Sequence, residues 1–313
     1  MKKITVILST YNGEKYLQKQ LDSILSQKGA EKDYLLSVLC RDDGSNDQTM
    51  DILNQYANSF SNVYIAESSG QNLGVRGSFF SLLREADADF YFFSDQDDIW
   101  HSDKIEAFLD AFEKTQSNLP AGVYSDLNLV DGQDKPLGKT MMESNGWSYT
   151  EKRDFRLLFF KTRVTGASFA INEAAKDQIM EVDSSKLAKV GMHDSILALL
   201  AMAYNNLIFI PKSLVSYRQH GDNVLGAFAK KHSIFAVKVR ISRYRTFFND
   251  LALINSIVSE KNMPAENVNS LRAAVAFNNT RGLLRKMRVV LKDKNVLWRN
   301  VKLKQILLLV LFY

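Results

Sequence analysis

The chain has 313 residues, 46% of them hydrophobic, 24% charged and 11% aromatic, which excludes a disordered, collagen-like or disulfide-scaffold protein. Its single cysteine, Cys40, cannot close an intramolecular bridge, and residues 4–8 are too short an apolar run for a signal peptide, so a reduced, cytoplasmic protein is expected. The formal net charge of +5 is uneven: residues 228–313 hold 17 Lys and Arg against Asp250, Glu260, Glu266 and Asp293, a formal +13, while the first 227 residues hold 23 basic and 31 acidic side chains, a formal −8. A basic C-terminal third points to an anionic partner, nucleic acid or lipid.

In chain order, residues 4–8 form a short β-branched run ending at Ser9-Thr10-Tyr11-Asn12-Gly13, a buried strand entering a turn. Tyr16, Leu17, Gln20, Leu21, Ile24 and Leu25 then recur at helical spacing, with Gly29 suited to the C-cap. The alternation repeats: strand 35–40, a helix around Met50 to Tyr56, strand 63–66, a helix around Phe79 to Leu83, and strand 90–93 ending at Asp95-Gln96-Asp97-Asp98. Such alternation predicts a mainly parallel sheet flanked by helices, with ligands bound at the carboxyl ends of the strands. Those ends carry Thr10-Tyr11-Asn12, Asp42-Asp43 and Asp95 to Asp98, so acidic residues converge on one rim. After strand 123–125, Gly132, Pro136, Gly138 and Gly146 read as loops before the apolar segment 155–160, a region in which an acceptor pocket is expected. From about residue 233 the pattern is helical, mainly over 235–257 and 271–287.

Asp95, Asp97 and Asp98 repel one another unless a cation neutralises them, and Mg²⁺ or Mn²⁺ suits hard oxygen ligands shared with substrate phosphates. The plain alternative is a turn with Asp98 capping the next helix, the one that carries Lys104 and Ile105. A carboxylate of Asp42-Asp43-Gly44-Ser45 can accept the imide N–H of a uracil or thymine, although Asp-Gly-Ser also makes an unaided turn. Asp194, opening the apolar helix 196–203, is either a helix cap or a base, and His220 and Arg218 are either loop residues or contacts to metal and phosphate.

Thr10-Tyr11-Asn12, Asp42-Asp43-Gly44-Ser45, Asn72-Leu73-Gly74-Val75-Arg76 and Asp95-Gln96-Asp97-Asp98-Ile99-Trp100 are similar, in order, to the signatures of family 2 glycosyltransferases with the GT-A fold. Ser94 to Trp100, Met192-His193-Asp194 and Tyr217-Arg218-Gln219-His220-Gly221-Asp222-Asn223 resemble bacterial rhamnosyltransferases of cell-wall or capsular polysaccharide synthesis. The resemblance implies an α/β, GT-A-type nucleotide-binding domain over 1–227, followed by a helical basic region over 228–313. It implies donor contacts from Thr10, Tyr11, Glu14, Asp42, Asp43, Asn72, Arg76, Asp95 and Arg218, and a Mg²⁺ or Mn²⁺ ion held by Asp97 and His220. Asp194 is then the catalytic base, with Trp100, Thr165, Gly166 and His193 toward the acceptor. His193 departs from the family pattern, which has Glu before the base.

The expected activity is inverting transfer of L-rhamnose from dTDP-rhamnose to a lipid-linked glycan at the inner face of the cell membrane, with a UDP-hexose donor as the alternative. A sugar-nucleotide pyrophosphorylase requires an early Gly-rich basic loop, which residues 9–13 do not offer, and a glycosidase requires no nucleotide site. An RNA-binding or membrane-adaptor protein has no use for acidic strand ends, and no RNA-recognition motif is visible. Trp298 and the apolar run 306–313 beside basic residues fit either a membrane-surface segment or an oligomer contact.

Overall fold

The computed structural model describes residues 1–67, 71–151, 154–155, 163–220, 234–293, 306, 310 and 311. The first half alternates β1 (Lys2–Thr10), α1 (Leu17–Leu25), β2 (Tyr34–Asp42), α2 (Thr49–Ser59), β3 (Val63–Ile65), α3 (Gly74–Glu85) and β4 (Phe90–Ser94). The two-residue β5 (Ile99–Trp100), α4 (Lys104–Phe112), β6 (Gly122–Val130), β7 (Pro136–Thr140) and α5 (Met141–Ser144) follow. Next come a 3₁₀ turn (Gly166–Ser168), β8 (Phe169–Asn172), α6 (Glu173–Met180), α7 (Ser184–Leu187), α8 (His193–Ala203) and β9 (Leu207–Arg218). The C-terminal helices are α9 (Ile234–Ile257), α10 (Ala265–Asn279) and α11 (Leu283–Lys292).

One sheet has the order β3-β2-β1-β4-β8-β6-β9-β5, with β7 beside β6. β1 pairs in parallel with β2 and β4, and β2 with β3, as the alternation predicts. Beyond β4 the sheet is mixed, because β8 runs antiparallel to both β4 and β6. The register places Thr10 beside Asp42 and Leu8 beside Ser94, so three motif-bearing loops leave the sheet at one level.

Period-two patterning of β1 separates two apolar layers. Ile4, Val6 and Leu8 face α1 and α4, whereas Ile7 faces the layer built from α3 and α8. Phe248, Leu251 and Ile254 of α9 and Phe277 of α10 belong to that second layer, so these C-terminal helices share a core with the sheet.

Several local expectations shift. Ser26 is the C-cap of α1, and Gly29 (φ +80°) belongs to the next turn. The expected helix over 271–287 breaks after Asn279, where Gly282 at φ +90° starts α11. β7 forms in the stretch read as loop; edge pairing with β6 overrides its Pro136 and Gly138. Of the segment 155–160 only Phe155 is described, and Gly221, Asp222, Asn223, the 227/228 boundary, Trp298 and most of the run 306–313 lie outside the described residues. Among the described residues no helix is long and apolar enough to cross a membrane.

Candidate active site

The rim is first built by side chains closing on backbone. The Gln96 amide accepts from the Tyr11 N–H (2.8 Å) and donates to the Tyr11 carbonyl (2.9 Å), tying the β1 loop to the β4 loop. A Cβ on Gly13 would stand 2.2 Å from Gln96 Oε1, so only glycine allows this closure. Glu14 accepts from the Gln48 N–H, and Tyr11 stays 49% exposed on the cleft rim.

The Asp42-Asp43 pair divides its work. Asp42 accepts from the Thr10 and Ser45 hydroxyls on Oδ1 and from the Gly44 and Ser45 amides on Oδ2, which saturates its lone pairs. Asp42 therefore shapes the loop instead of meeting the donor base, and buried Thr10, expected at the donor, is consumed as its partner. Asp43 Oδ1 accepts from Arg41 (2.5 Å) and the Leu73 N–H, Oδ2 accepts from the Gly74 N–H, and the Ser78 side chain adds a further bond. Burial raises the Asp43 carboxyl, but the Arg41, Leu73 and Ser78 bonds outweigh it and hold the group below the ordinary range. Asn72 supports the same loop by donating to the Asp43 carbonyl.

The Asp95 to Asp98 cluster rests on a buried cation that the sequence reading passed over. Lys104 at the start of α4 is fully buried, lies 3.3 Å from the centroid of the Trp100 ring and donates to the Ala167 carbonyl at 2.9 Å. Burial pushes its ammonium far down, opposed by Asp98 and Asp95. Burial, then Asp97 and Asp194, push Asp95 up to about 7. Burial, then Asp97 and Asp95, push Asp98 well up, and its Oδ2 has no partner among the described residues. Asp98 is not a helix cap: β5 follows it, its Oδ1 accepts from the Arg218 N–H, and Asp103 precedes α4. Asp97 Oδ2 lies 2.7 Å from His220 Nε2, joining the two expected metal-binding residues.

Three expected contacts are corrected. Arg218 is fully buried, with Nε on Asp134 Oδ1 (2.9 Å), further bonds to Asp134 and the Asp97 carbonyl, and its guanidinium 4.2 Å from the Tyr16 ring centroid, so these bonds brace the acidic loop. Arg76 forks onto the carbonyls of Val190 (2.7 Å) and Ala188 (2.6 Å), so its fork holds the chain entering α8 and not a donor phosphate. Trp100, expected toward the acceptor, is buried between Phe92 and Lys104.

Asp194 lies inside α8, whose N-cap is Met192, so the cap reading fails. Its Oδ2 accepts from the Gly166 N–H at 2.9 Å and its Oδ1 from the Ser195 N–H at 2.6 Å. Burial pushes the carboxyl up to about 6 against those bonds. Thr165 and Gly166 thus stand at the base, and a Cβ on Gly166 would meet His193 Nε2 at 3.0 Å. His193 is stacked against Phe79 (4.1 Å) and Phe93 (4.9 Å), with both ring nitrogens unpartnered among the described residues. Burial pushes it down to about 3 and keeps it neutral, packed beside Asp194. Tyr217 is raised by burial and by Asp98, Asp95, Asp97 and Asp194, so it remains a hydroxyl donor among carboxylates.

A parallel nucleotide half, an acidic rim and a buried carboxylate facing Asp95 define a GT-A-fold glycosyltransferase. The glycosyl transferase family 2 model matches residues 5–177, over half the chain, and the chain belongs to that family. It is 29% identical over 228 residues to the dTDP-rhamnosyl transferase RfbG of Shigella flexneri, covering 70% of this chain and 74% of that protein. It is 28% identical over 145 residues to the poly(ribitol-phosphate) beta-N-acetylglucosaminyltransferase TarP of Staphylococcus aureus, covering 46% of this chain and 42% of TarP. Among solved structures, S. aureus TarS 1–349 with UDP-GlcNAc superposes with a TM-score of 0.58 at 16% identity, covering 97% of this chain and 77% of that one. The mannosyltransferase PcManGT of Pyrobaculum calidifontis with GDP-Man and Mn²⁺ superposes with a TM-score of 0.57 at 16% identity, covering 98% and 78%.

Proposed function

We propose that this glycosyltransferase transfers L-rhamnose, with inversion, from dTDP-rhamnose to a hydroxyl of a lipid-linked glycan in the synthesis of a bacterial cell-surface polysaccharide. The observation that carries the mechanism is Asp194, a buried carboxylate near pKa 6, oriented by Gly166 and Ser195 and electrostatically coupled to Asp95. A base of that pKa is ionised at neutral pH yet basic enough to accept a proton. The acceptor hydroxyl gives its proton to Asp194 while its oxygen bonds to the anomeric carbon. The bond from that carbon to the diphosphate breaks and dTDP leaves. One base and one displacement invert the centre.

Asp43, at the end of β2, and the neighbouring Tyr11 and Glu14 are the candidate contacts to the donor nucleotide, which the exposure of Tyr11 supports. Asp97 and His220 fit a hard divalent cation: an oxygen and an imidazole nitrogen 2.7 Å apart beside a carboxylate cluster. Among the described residues no three His, Cys, Asp or Glu side chains form a metal-binding group, which suits an ion that draws its other ligands from diphosphate and water. Mg²⁺ or Mn²⁺ bound there supplies charge neutralisation to the diphosphate.

The match to RfbG along 70% of the chain supports rhamnose, whereas the match to TarP covers 46% and supports a UDP-hexose donor less. The test offers dTDP-rhamnose, UDP-glucose and UDP-GlcNAc with Mg²⁺ or Mn²⁺ and reads nucleoside diphosphate release. Release from dTDP-rhamnose alone is expected. Release from a UDP-hexose only would reassign the donor, and no release from any would overturn the reading.

A further inference from the structure

The last described helix turns apolar side chains toward solvent. α11 is anchored inward by Lys286 (6% exposed) and the part-buried Val289 and Val290, which pack on the apolar layer shared with α8. Its outer side presents Leu283 (46% exposed), Leu284 (74%), Met287 (44%) and Leu291 (68%) as a stripe along the helix. At 100° per residue, Arg288, Lys292 and Arg285 form a basic band along one border of that stripe, all exposed. Next to it lies a recess of about 690 Å³ lined by Arg245, Arg281, Lys286, Leu283 and Leu311, itself 58% exposed. Burial and the Arg245 charge together lower the Lys286 ammonium, whose Nζ lies 5.1 Å from the Phe277 ring centroid.

From this geometry we infer that α11 is a membrane-docking helix: its leucine stripe enters the headgroup boundary of an anionic bilayer, and Arg285, Arg288 and Lys292 engage lipid phosphates. An apolar stripe bordered by cations on a short surface helix is the pattern of an interfacial helix, and the formal +13 of residues 228–313 matches an anionic leaflet. A contact between copies of the chain would gather these cations against one another, which disfavours that occupant. The recess is large enough for a lipid headgroup and carries the charge for its phosphate. The inference rests on the lipid-linked-acceptor reading only for its purpose; docking itself is independent of donor and chemistry.

The test is flotation of the full chain with phosphatidylglycerol/phosphatidylcholine vesicles and with phosphatidylcholine alone, beside hydrolysis of a soluble donor and light scattering. The parent should bind the anionic vesicles and lose binding in high salt. Leu284→Ser with Leu291→Ser should weaken binding at least tenfold, and Arg285→Gln with Arg288→Gln about fivefold for each charge removed. Donor hydrolysis and melting temperature should not change, since these side chains face solvent and lie outside the catalytic site. Equal binding by parent and variants, or equal binding to neutral vesicles, overturns the inference. So does a dimer that the leucine variants dissolve while vesicle binding survives. Vesicle binding without any sugar transfer would leave docking intact and remove only the enzymatic reading.

Discussion

The Lys104 ammonium donates to the Ala167 carbonyl at 2.9 Å, while the amide of Gly166, one residue earlier, donates to Asp194 at 2.9 Å. A single 3₁₀ turn therefore joins the buried cation under the Asp95 to Asp98 cluster to the carboxylate that faces it. Lys104 thus acts through this turn on the position of Asp194.

Replacing Lys104 with Met should remove both that bond and the side-chain charge that opposes the rise of Asp95 and Asp98. Losing one partner of a buried charge group costs about 3–5 kcal/mol. Urea unfolding should show that loss, and the turnover of the folded fraction should fall while donor KM stays near the parent value. A variant as stable as the parent would show that the carboxylates are already neutral without Lys104.

Asp194→Asn carries a prediction whose stability and activity parts have opposite signs. An ordinary aspartate titrates near 3.8, and burial holds Asp194 to about 6. Between these values the folded chain binds more proton than the unfolded one, so the group's contribution to stability declines as pH rises through the window. The decline is complete above about 6 and is on the order of 3 kcal/mol. The Asn variant lacks it. Relative to the parent, the variant should thus gain stability between pH 4 and pH 7, while its transfer rate drops by about 10² to 10⁴. The parent rate should fall about tenfold per pH unit below 6. A stability difference that ignores pH would refute the perturbed carboxylate, and near-normal turnover would refute the base.

Arg76 and Asp250 hold the strand of chain before α8 from two sides. Arg76 bonds the Ala188 and Val190 carbonyls, and buried Asp250 of α9 accepts from the Gly191 N–H at 3.0 Å. A Cβ on Gly191 would stand 2.8 Å from Asp250 Oδ2. Gly191→Ala should force these groups apart and lower kcat about tenfold or more through misplacement of Asp194, with donor KM little changed. Arg76→Lys, which keeps one donor site but not the fork, should fall between parent and Arg76→Ala. If Arg76→Ala raises donor KM and spares kcat, the arginine acts on the donor after all.

For Asp97 and His220, chelation should abolish turnover and added Mn²⁺ or Mg²⁺ should restore it. Asp97→Asn should weaken nucleotide binding in the presence of the cation but leave binding in chelator unchanged. Calorimetry with the nucleoside diphosphate separates the two conditions. Turnover that survives both chelator and substitution would assign the pair a purely structural role.

By itself the sequence determined the alternating half of the fold, because period-two runs such as residues 4–8 and their polar ends are local patterns that one burial direction satisfies. It also put Asp43, Asp95 and Asp97 at neighbouring strand ends, since the strand ends of a parallel sheet share a rim, whereas Asp194 and Gly166 were expected beside them only through the family resemblance. The antiparallel insertion of β8 was not legible, as strand order depends on pairing between segments far apart. Nor were the roles of polar residues within one motif: Asp42 and Asp43 are adjacent and chemically identical, yet one is saturated by its own loop and the other is paired to Arg41. Lys104 was legible only as a residue of the next helix, Arg76 only as a donor contact and Arg218 as a phosphate contact, until packing showed which carbonyl or carboxylate each reaches. A side chain's chemistry is written in its type, whereas its partner and its solvation, which decide its charge and its task, exist only once distant segments have closed around it.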